Sequence, residues 1–557
     1  MPDIELTNFT AGELSPRMRG RTDVSKYWNG VESLLNFVVQ PQGGVTRRPG
    51  TQYIASAANS ANRIYLVPFV FSTVQAYVLE FGPNYIRIYR TDGQVISGGS
   101  PVQVATPWGA SDLPLVTFVQ SADTLFLFHP NYPPQLLTRS SDVTWAIAAA
   151  SFNDGPYLYN NATSTTLTAS GVAWPGTIIT LSFSSIVGIN PTAGNSGTGF
   201  QSGDVGRPIR FSLTGYTWSW GTITGVLGTT QVYCLIKDTV PFGAQGGTDG
   251  QQWRNNIYYF AGAYVSNGGR YYQCAQSGTS NPIGTGPSGT GANIADYGAV
   301  WNYFAYATPL TTTQWALGKW SGTTGYPWCG MFWQGRLLVG ATNNQPSALE
   351  GSVPGQFFNF APSQHDGSVV ASNALSWIIS DDEVNAINWL ATAGSAQAMQ
   401  LALGTRGGEQ IFQGSSTGQA LSPTNVQAYR ETTLGSQPGL KPVRVGKSLL
   451  FANRAGQKIH EWTFSWQVNG YVGPDLAVLS EHVLRTGVTK MVWQQNPLGV
   501  MWMIAGTSLV GMTYLREQDV VAFHRHQLGG QYYGGAPVVE DLAVIPSPDT
   551  TYDTNCG

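Results

Sequence analysis

Residues 63–96 read RIYLVPFVFSTVQAYVLEFGPNYIRIYRTDGQVI, with turn signals at Ser72-Thr73, Gly82-Pro83 and Asp92-Gly93. Short runs rich in β-branched and aromatic residues, broken by glycine, proline or aspartate, mark antiparallel strands, and Asp-Gly is a strong hairpin signal. The stretch predicts three or four strands of one meandering sheet. Leu113 to Trp145 repeats the pattern around LVTFVQSADTLFLFHP and PQLLTRSSDVTWAIA.

Downstream the same texture returns. ALSWIISDDEVNAINWL with MQLALGTRGGEQIF, then VRVGKSLLFANRAGQKIHEWTF, then MVWQQNPLGVMWMIAGTSLVGMTYLREQDVVAFHRHQL each pair apolar runs across turns. Strand-turn-strand units recurring at about 40–50 residues favour a propeller-like platform of four-stranded units over a sandwich. The predicted fold is mainly β, and the predicted blades fall in 61–155 and 311–557.

Between them, 156–310 is dense in Gly, Ser and Thr, with segments such as SGTSNPIGTGPSGTG that lack the apolar content of a core. This reads as an insertion carrying one or two small β domains. Its Tyr264, Tyr271, Tyr272, Trp301 and Tyr303 admit two readings: the core of a mini-domain, or aromatic faces that stack on host sugars.

Residues 1–60 form a different element. Arg17, Arg19, Arg21, Arg47, Arg48 and Lys26 cluster there, in a chain with only 11% charged residues. Ser15-Pro16 and Arg48-Pro49-Gly50 mark turns, and Thr22 or Asp23 is placed to cap a helix through Tyr27, Val31, Leu34 and Leu35. Unpaired arginines are costly away from water, so the segment reads as a structured arm whose guanidinium groups need carboxylate or phosphate partners, either in local salt bridges within the subunit or, as a docking arm, on an assembly partner.

Two motifs of this arm, NFTAGELSPRMRGRTD and QPQGGVTRRPGT, together resemble the opening of nozzle proteins from the tails of short-tailed bacteriophages, the tail tubular B-like group. QWALGKWSGTTGYPWCGMFWQGRLLVGAT followed by LEGSVPGQFFNF resembles the central signature of the same family. In that stretch Trp315 and Trp320 are expected to be buried, Gln334-Gly335 to turn a strand pair, and Arg336 to bridge to a neighbouring carboxylate.

The resemblance implies a structural virion protein: a homohexameric ring docked on an adaptor (tail tubular A-like) ring, carrying tail fibres, with a channel for genome ejection. Members usually continue past the equivalent of VEDLAVIPSPD into further strands, and one expectation is that the N-terminal strands complete the last blade. The implied location is the virion tail after synthesis in the host cytoplasm. A net charge of −3 gives no global basic field for nucleic acid, so contact with DNA is expected to be transient passage. No charged-then-apolar leader and no run of about 18 apolar residues stands out, so stable membrane insertion is not expected.

No catalytic pattern stands out. Asp381-Asp382-Glu383 is the one dense acidic run, and its adjacent carboxylates lack a partner at the set distance that acid/base work needs. His524 and His526 share a strand face but lack a third metal ligand in sequence, while Cys234, Cys274, Cys329 and Cys556 show no CxxC spacing. Buried free thiols are expected rather than a Cys234–Cys274 bridge. No enzyme, no metal site and no cofactor is predicted; the alternative function is a tail-associated host-glycan-binding or depolymerising protein.

Overall fold

Six antiparallel sheets of at least four strands follow one another along the described chain and carry the main body. The structure, a computed structural model, describes residues 6–547 apart from 91–92, 171–172, 174, 192–196, 213–217, 239–250, 269, 307–310, 380–385, 395–399 and 416–418. Sheet I comprises Tyr65–Val70, Ala76–Gly82, Tyr85–Arg90 and Gln103–Ala105, with the short strand Gly93–Gln94 also paired to Tyr85–Arg90. Sheet II comprises Thr117–Ser121, Thr124–His129, Tyr132–Arg139 and Trp145–Ala149. Sheet III runs through Cys329–Trp333, Arg336–Gly340, Ala348–Gly351 and Leu375–Ile378. Sheet IV holds Ile387–Ala393, Gln400–Thr405, Glu409–Gln413 and Gln427–Thr432. Sheet V holds Val443–Val445, Ser448–Ala452, Ile459–Ser465 and Gly470–Val472. Sheet VI holds Val488–Gln494, Val500–Ala505, Ser508–Leu515 and Val520–His526. No α-helix occurs among the described residues, and none of their helices is long and apolar enough to cross a membrane.

The inner strands of each sheet are buried on both faces, which explains their nearly continuous apolar runs. In LFLFH, Leu125 and Leu127 pack with Phe69, Leu79 and Ile88 of sheet I, while Phe126 and Phe128 pack with Leu337 and Val339 of sheet III. The period repeats: Leu338 faces Ile387 and Leu401 of sheet IV, and Trp389 and Ile411 face Phe451 and Trp462 of sheet V. Leu450 and Ile459 then meet Met501 and Met512 of sheet VI. Five successive junctions are thus hydrophobic.

The junction between sheets VI and I is different, because residues 539–541 run into it. Leu66 N–H donates to Asp541 Oδ2 at 2.6 Å, Lys490 Nζ lies 2.9 Å from Asp541 Oδ1, and Arg63 Nη2 donates to the Glu540 carbonyl at 2.7 Å. Val539 N–H donates to the Thr507 carbonyl at 3.0 Å, tying the same segment to sheet VI.

Among its described residues the insertion forms two further sheets of five or more strands, beside a two-stranded pairing of Tyr258–Tyr259 with Gly278–Thr279. The first has seven strands: Leu167–Ala169, Ile178–Phe183, Pro208–Phe211, Ser219–Gly228, Gln231–Ile236, Thr311–Thr312 and Trp315–Leu317. The second has five: Gln251–Gln252, Tyr264–Asn267, Arg270–Gln276, Ile294–Asp296 and Ala299–Tyr306.

Several expectations need correction. The insertion does not end at 310, since Phe211 pairs with Trp315 and Ile209 with Leu317; Trp315 packs inside the inserted core with Phe183. The predicted helix over Tyr27 to Leu35 is replaced by a 3-10 turn at Ser25–Asn29 and a strand at Gly30–Val31. Gly30 pairs in parallel with Gly12, and a Cβ there would lie 2.5 Å from Leu14, so this position is used for close packing.

Sheet VI draws its four main strands from one continuous stretch, so the arm does not complete it. Gly12–Glu13 and Gly30–Val31 instead add two short parallel strands beyond Val520–His526. Among the described residues Arg336 reaches no carboxylate; its guanidinium donates to the carbonyls of Ser352, Asn373 and Ala371 at 2.6, 2.7 and 2.9 Å. Gln334 and Gly335 do turn the strand pair, with φ of +46° and +72°, the left-handed geometry that two-residue hairpins favour.

Candidate assembly site on the N-terminal arm

The two arm motifs meet in space. Phe9 N–H donates to the Gly43 carbonyl at 2.8 Å, and Asn8 Oδ1, which accepts from Thr10 N–H at 3.0 Å, lies against Gly43. Gly43 has φ +107°, so a side chain there would be strained as well as crowded by Asn8. The strands Phe37–Val39 and Val45–Arg47 form the hairpin that brings Gly43 round.

Glu13 anchors the first motif. Fully buried, its Oε2 accepts from Leu34 N–H at 2.8 Å and Arg525 Nε at 3.0 Å. Its Oε1 lies 2.8 Å from Arg525 Nη2 and 2.9 Å from His482 Nε2. Such a carboxylate is held by charge-assisted bonds on both oxygens, which is what makes its burial tolerable. Ser480 Oγ donates to the Glu13 carbonyl at 2.7 Å, and Leu34 and Val39 pack on Val520 and Ala522.

The arginines divide into two groups. Arg17 pairs with Glu481 at 2.7 Å, Arg19 with Glu32, and Arg21 makes two 2.8 Å bonds to the Asp23 carboxylate, so these three are held by carboxylates of their own chain. Lys26 likewise pairs with Asp519 at 2.8 Å. Arg47 is exposed and forms no ion pair among the described residues, while Arg48 donates only to the Pro49 and Gln527 carbonyls, at 3.1 and 3.5 Å. Arg47 stands opposite Phe37 across the hairpin, and Phe37, Leu35 and Trp28 are exposed apolar residues of the same arm. That combination of a free guanidinium and apolar area can hold a carboxylate-bearing protein surface.

The aromatic residues of the insertion lie mostly inside. Tyr271, Tyr272 and Trp301 are at most 1% exposed, whereas Tyr264 and Tyr303 are half-buried. Val265, Tyr272, Cys274 and Trp301 form one core with Trp253, whose indole N–H donates to Asp296 at 2.6 Å. Asp381, Asp382 and Glu383 lie outside the described residues, as does Cys556; Cys234, Cys274 and Cys329 are buried free thiols.

His524 and His526 do share a face, with Nδ1 of the first 2.6 Å from Nε2 of the second. Burial drives both pKa values down, that of His526 to about 4 with the Arg48 charge assisting. Among the described residues no group of three His, Cys, Asp or Glu side chains is arranged to hold a metal ion. Sequence reading missed Glu13, His482 and Arg525 as a unit, because the three come together only when the arm meets sheet VI.

No protein-family model and no curated protein matches the chain. Among solved structures it is similar to the computationally designed Ika8 protein, at 10% identity over 83% of this chain and 96% of that one, with a TM-score of 0.23. An auxiliary nutrient binding protein from Bacteroides thetaiotaomicron VPI-5482 is similar at 8% identity over 66% of this chain and 74% of that one, with a TM-score of 0.22. Scores this low bear on neither fold nor function.

Proposed function

We propose that the chain is a structural virion protein forming the tail nozzle of a short-tailed phage, a sixfold ring that docks on an adaptor ring and carries fibres. The observation that carries this reading is the pair of arm motifs resembling the nozzle family, whose residues Asn8 and Gly43 pack on each other. In this reading sheets I to VI close as six blades of a propeller-like platform, with residues 539–541 sealing the junction of the last blade to the first.

The arm then acts as a docking element whose internal charges are already satisfied at Arg17, Arg19 and Arg21. Arg47 and Arg48 are the cations left to engage carboxylates of a neighbouring subunit or of the adaptor. A chain of net charge −3 forms a channel that lets DNA pass without the counterion-release attraction that makes basic surfaces adhere. The native mass of the purified chain, alone and with the adaptor ring, tests the proposal.

A further inference from the structure

A cavity of about 400 Å³ lies where sheets I, II and VI meet residues 439–441, just before sheet V, beside residues 541–544. Its walls are largely apolar, with Val67, Phe81, Met491 and Trp493 among them. Three cations also line it, Arg63, Lys441 and Lys490, against the single carboxylate of Asp541.

That carboxylate is already engaged. Asp541 is held by Lys490 and by Leu66 N–H, while Arg63 is turned to the Glu540 carbonyl. Lys441 is left over. Its Nζ donates to the Phe118 carbonyl and sits 4.8 Å from the centre of the Phe118 ring, and no carboxylate among the described residues lies within ion-pair distance of it. Burial, with a contribution from the Lys490 charge, pulls its pKa from 10.5 to about 8. An ammonium that pays for desolvation without a counter-charge gains most from an anion placed beside it.

We propose that this cavity is a binding site for an amphiphilic organic carboxylate, its acid group on Lys441 and its apolar chain or ring against Val67, Phe81, Met491 and Trp493. Pockets of this size take drug-sized organic molecules and orient them with a few polar groups on apolar walls. The inference is independent of the nozzle reading, since it rests on the cavity and its charges alone.

The probe is decanoate, titrated calorimetrically into the full-length protein, with decanol and inorganic phosphate as the two halves of its chemistry. Saturable binding of decanoate, at least about tenfold tighter than either half, is expected. Lys441→Met should lower decanoate affinity by about tenfold or more and leave decanol unchanged, with Lys441→Arg restoring most of the loss. No decanoate binding to the native chain, phosphate binding as tight as decanoate, or equal affinity in Lys441→Met would each overturn the proposal. The comparison of decanoate, decanol and phosphate on the native chain decides the matter even if the substituted proteins do not fold.

Discussion

Glu13 and Arg525, 512 residues apart in sequence, share two contacts, Oε1 to Nη2 at 2.8 Å and Oε2 to Nε at 3.0 Å. A bidentate pair of this kind fixes orientation as well as distance, so it sets how the arm lies along sheet VI. Glu13→Ala leaves Arg525 and His482 without their acceptor. The expected cost is about 1–3 kcal/mol, below that of a fully buried pair because Arg525 is partly exposed. Limited trypsin digestion should then cut early at Arg17, Arg19 and Arg21; an unchanged digestion pattern and melting temperature would remove Glu13 from its anchoring role.

Gly12 precedes that anchor and is itself constrained. Its φ is +66°, and a Cβ would lie 2.5 Å from the Phe523 backbone nitrogen. Gly12→Ala is expected to destabilise the folded chain by about 2 kcal/mol or more, through strain and loss of the parallel pairing with sheet VI. Urea unfolding checks this, and a cost within about 0.5 kcal/mol would mean that the arm can shift without penalty.

Arg47 and Arg48 are expected to matter for assembly rather than folding. Replacing both by alanine should leave the melting temperature of the isolated chain within a few degrees, while weakening adaptor docking by about tenfold or more. Replacing Arg17, Arg19 and Arg21 should affect docking less, because exposed ion pairs within the chain already occupy them. Equal effects of the two triplet and doublet replacements, measured by adaptor pull-down, would contradict this division.

Much of this organisation was readable in the residues. The runs at 65–90 and 117–149 form sheets I and II, because alternating apolar residues between strong turns leave few other solutions. The insertion boundary was not readable: Trp315 looks equally apolar in either neighbourhood, and its pairing with Phe211 is a long-range choice. The arm helix failed for a related reason, since helical spacing at Tyr27, Val31 and Leu34 was overridden by parallel pairing at Gly12 and Gly30. Arg336 found backbone carbonyls rather than a carboxylate, a partner that no side-chain pattern announces. The same holds for Lys441, whose lack of a counter-charge among the described residues becomes visible only when three sheets converge around it.

Glu409 gives a pH dependence of known sign. Buried in sheet IV, it accepts from the Thr432 hydroxyl on Oε2, and burial raises its pKa from 4.5 to about 7. A carboxyl whose folded pKa is raised contributes stability that is fully present below its unfolded pKa and lost as pH rises through the folded one. Glu409→Gln abolishes this titration and should therefore gain about 1–3 kcal/mol relative to the native chain between about pH 5 and pH 8. Unfolding midpoints of the two proteins that stay parallel across that window would exclude the carboxyl as the source.

The most direct test of the nozzle reading is the mass of the purified chain in solution, by light scattering, alone and after mixing with the adaptor ring. Six copies, present alone or assembled on the adaptor, are expected. A monomer or trimer whose mass is indifferent to the adaptor would contradict the assignment.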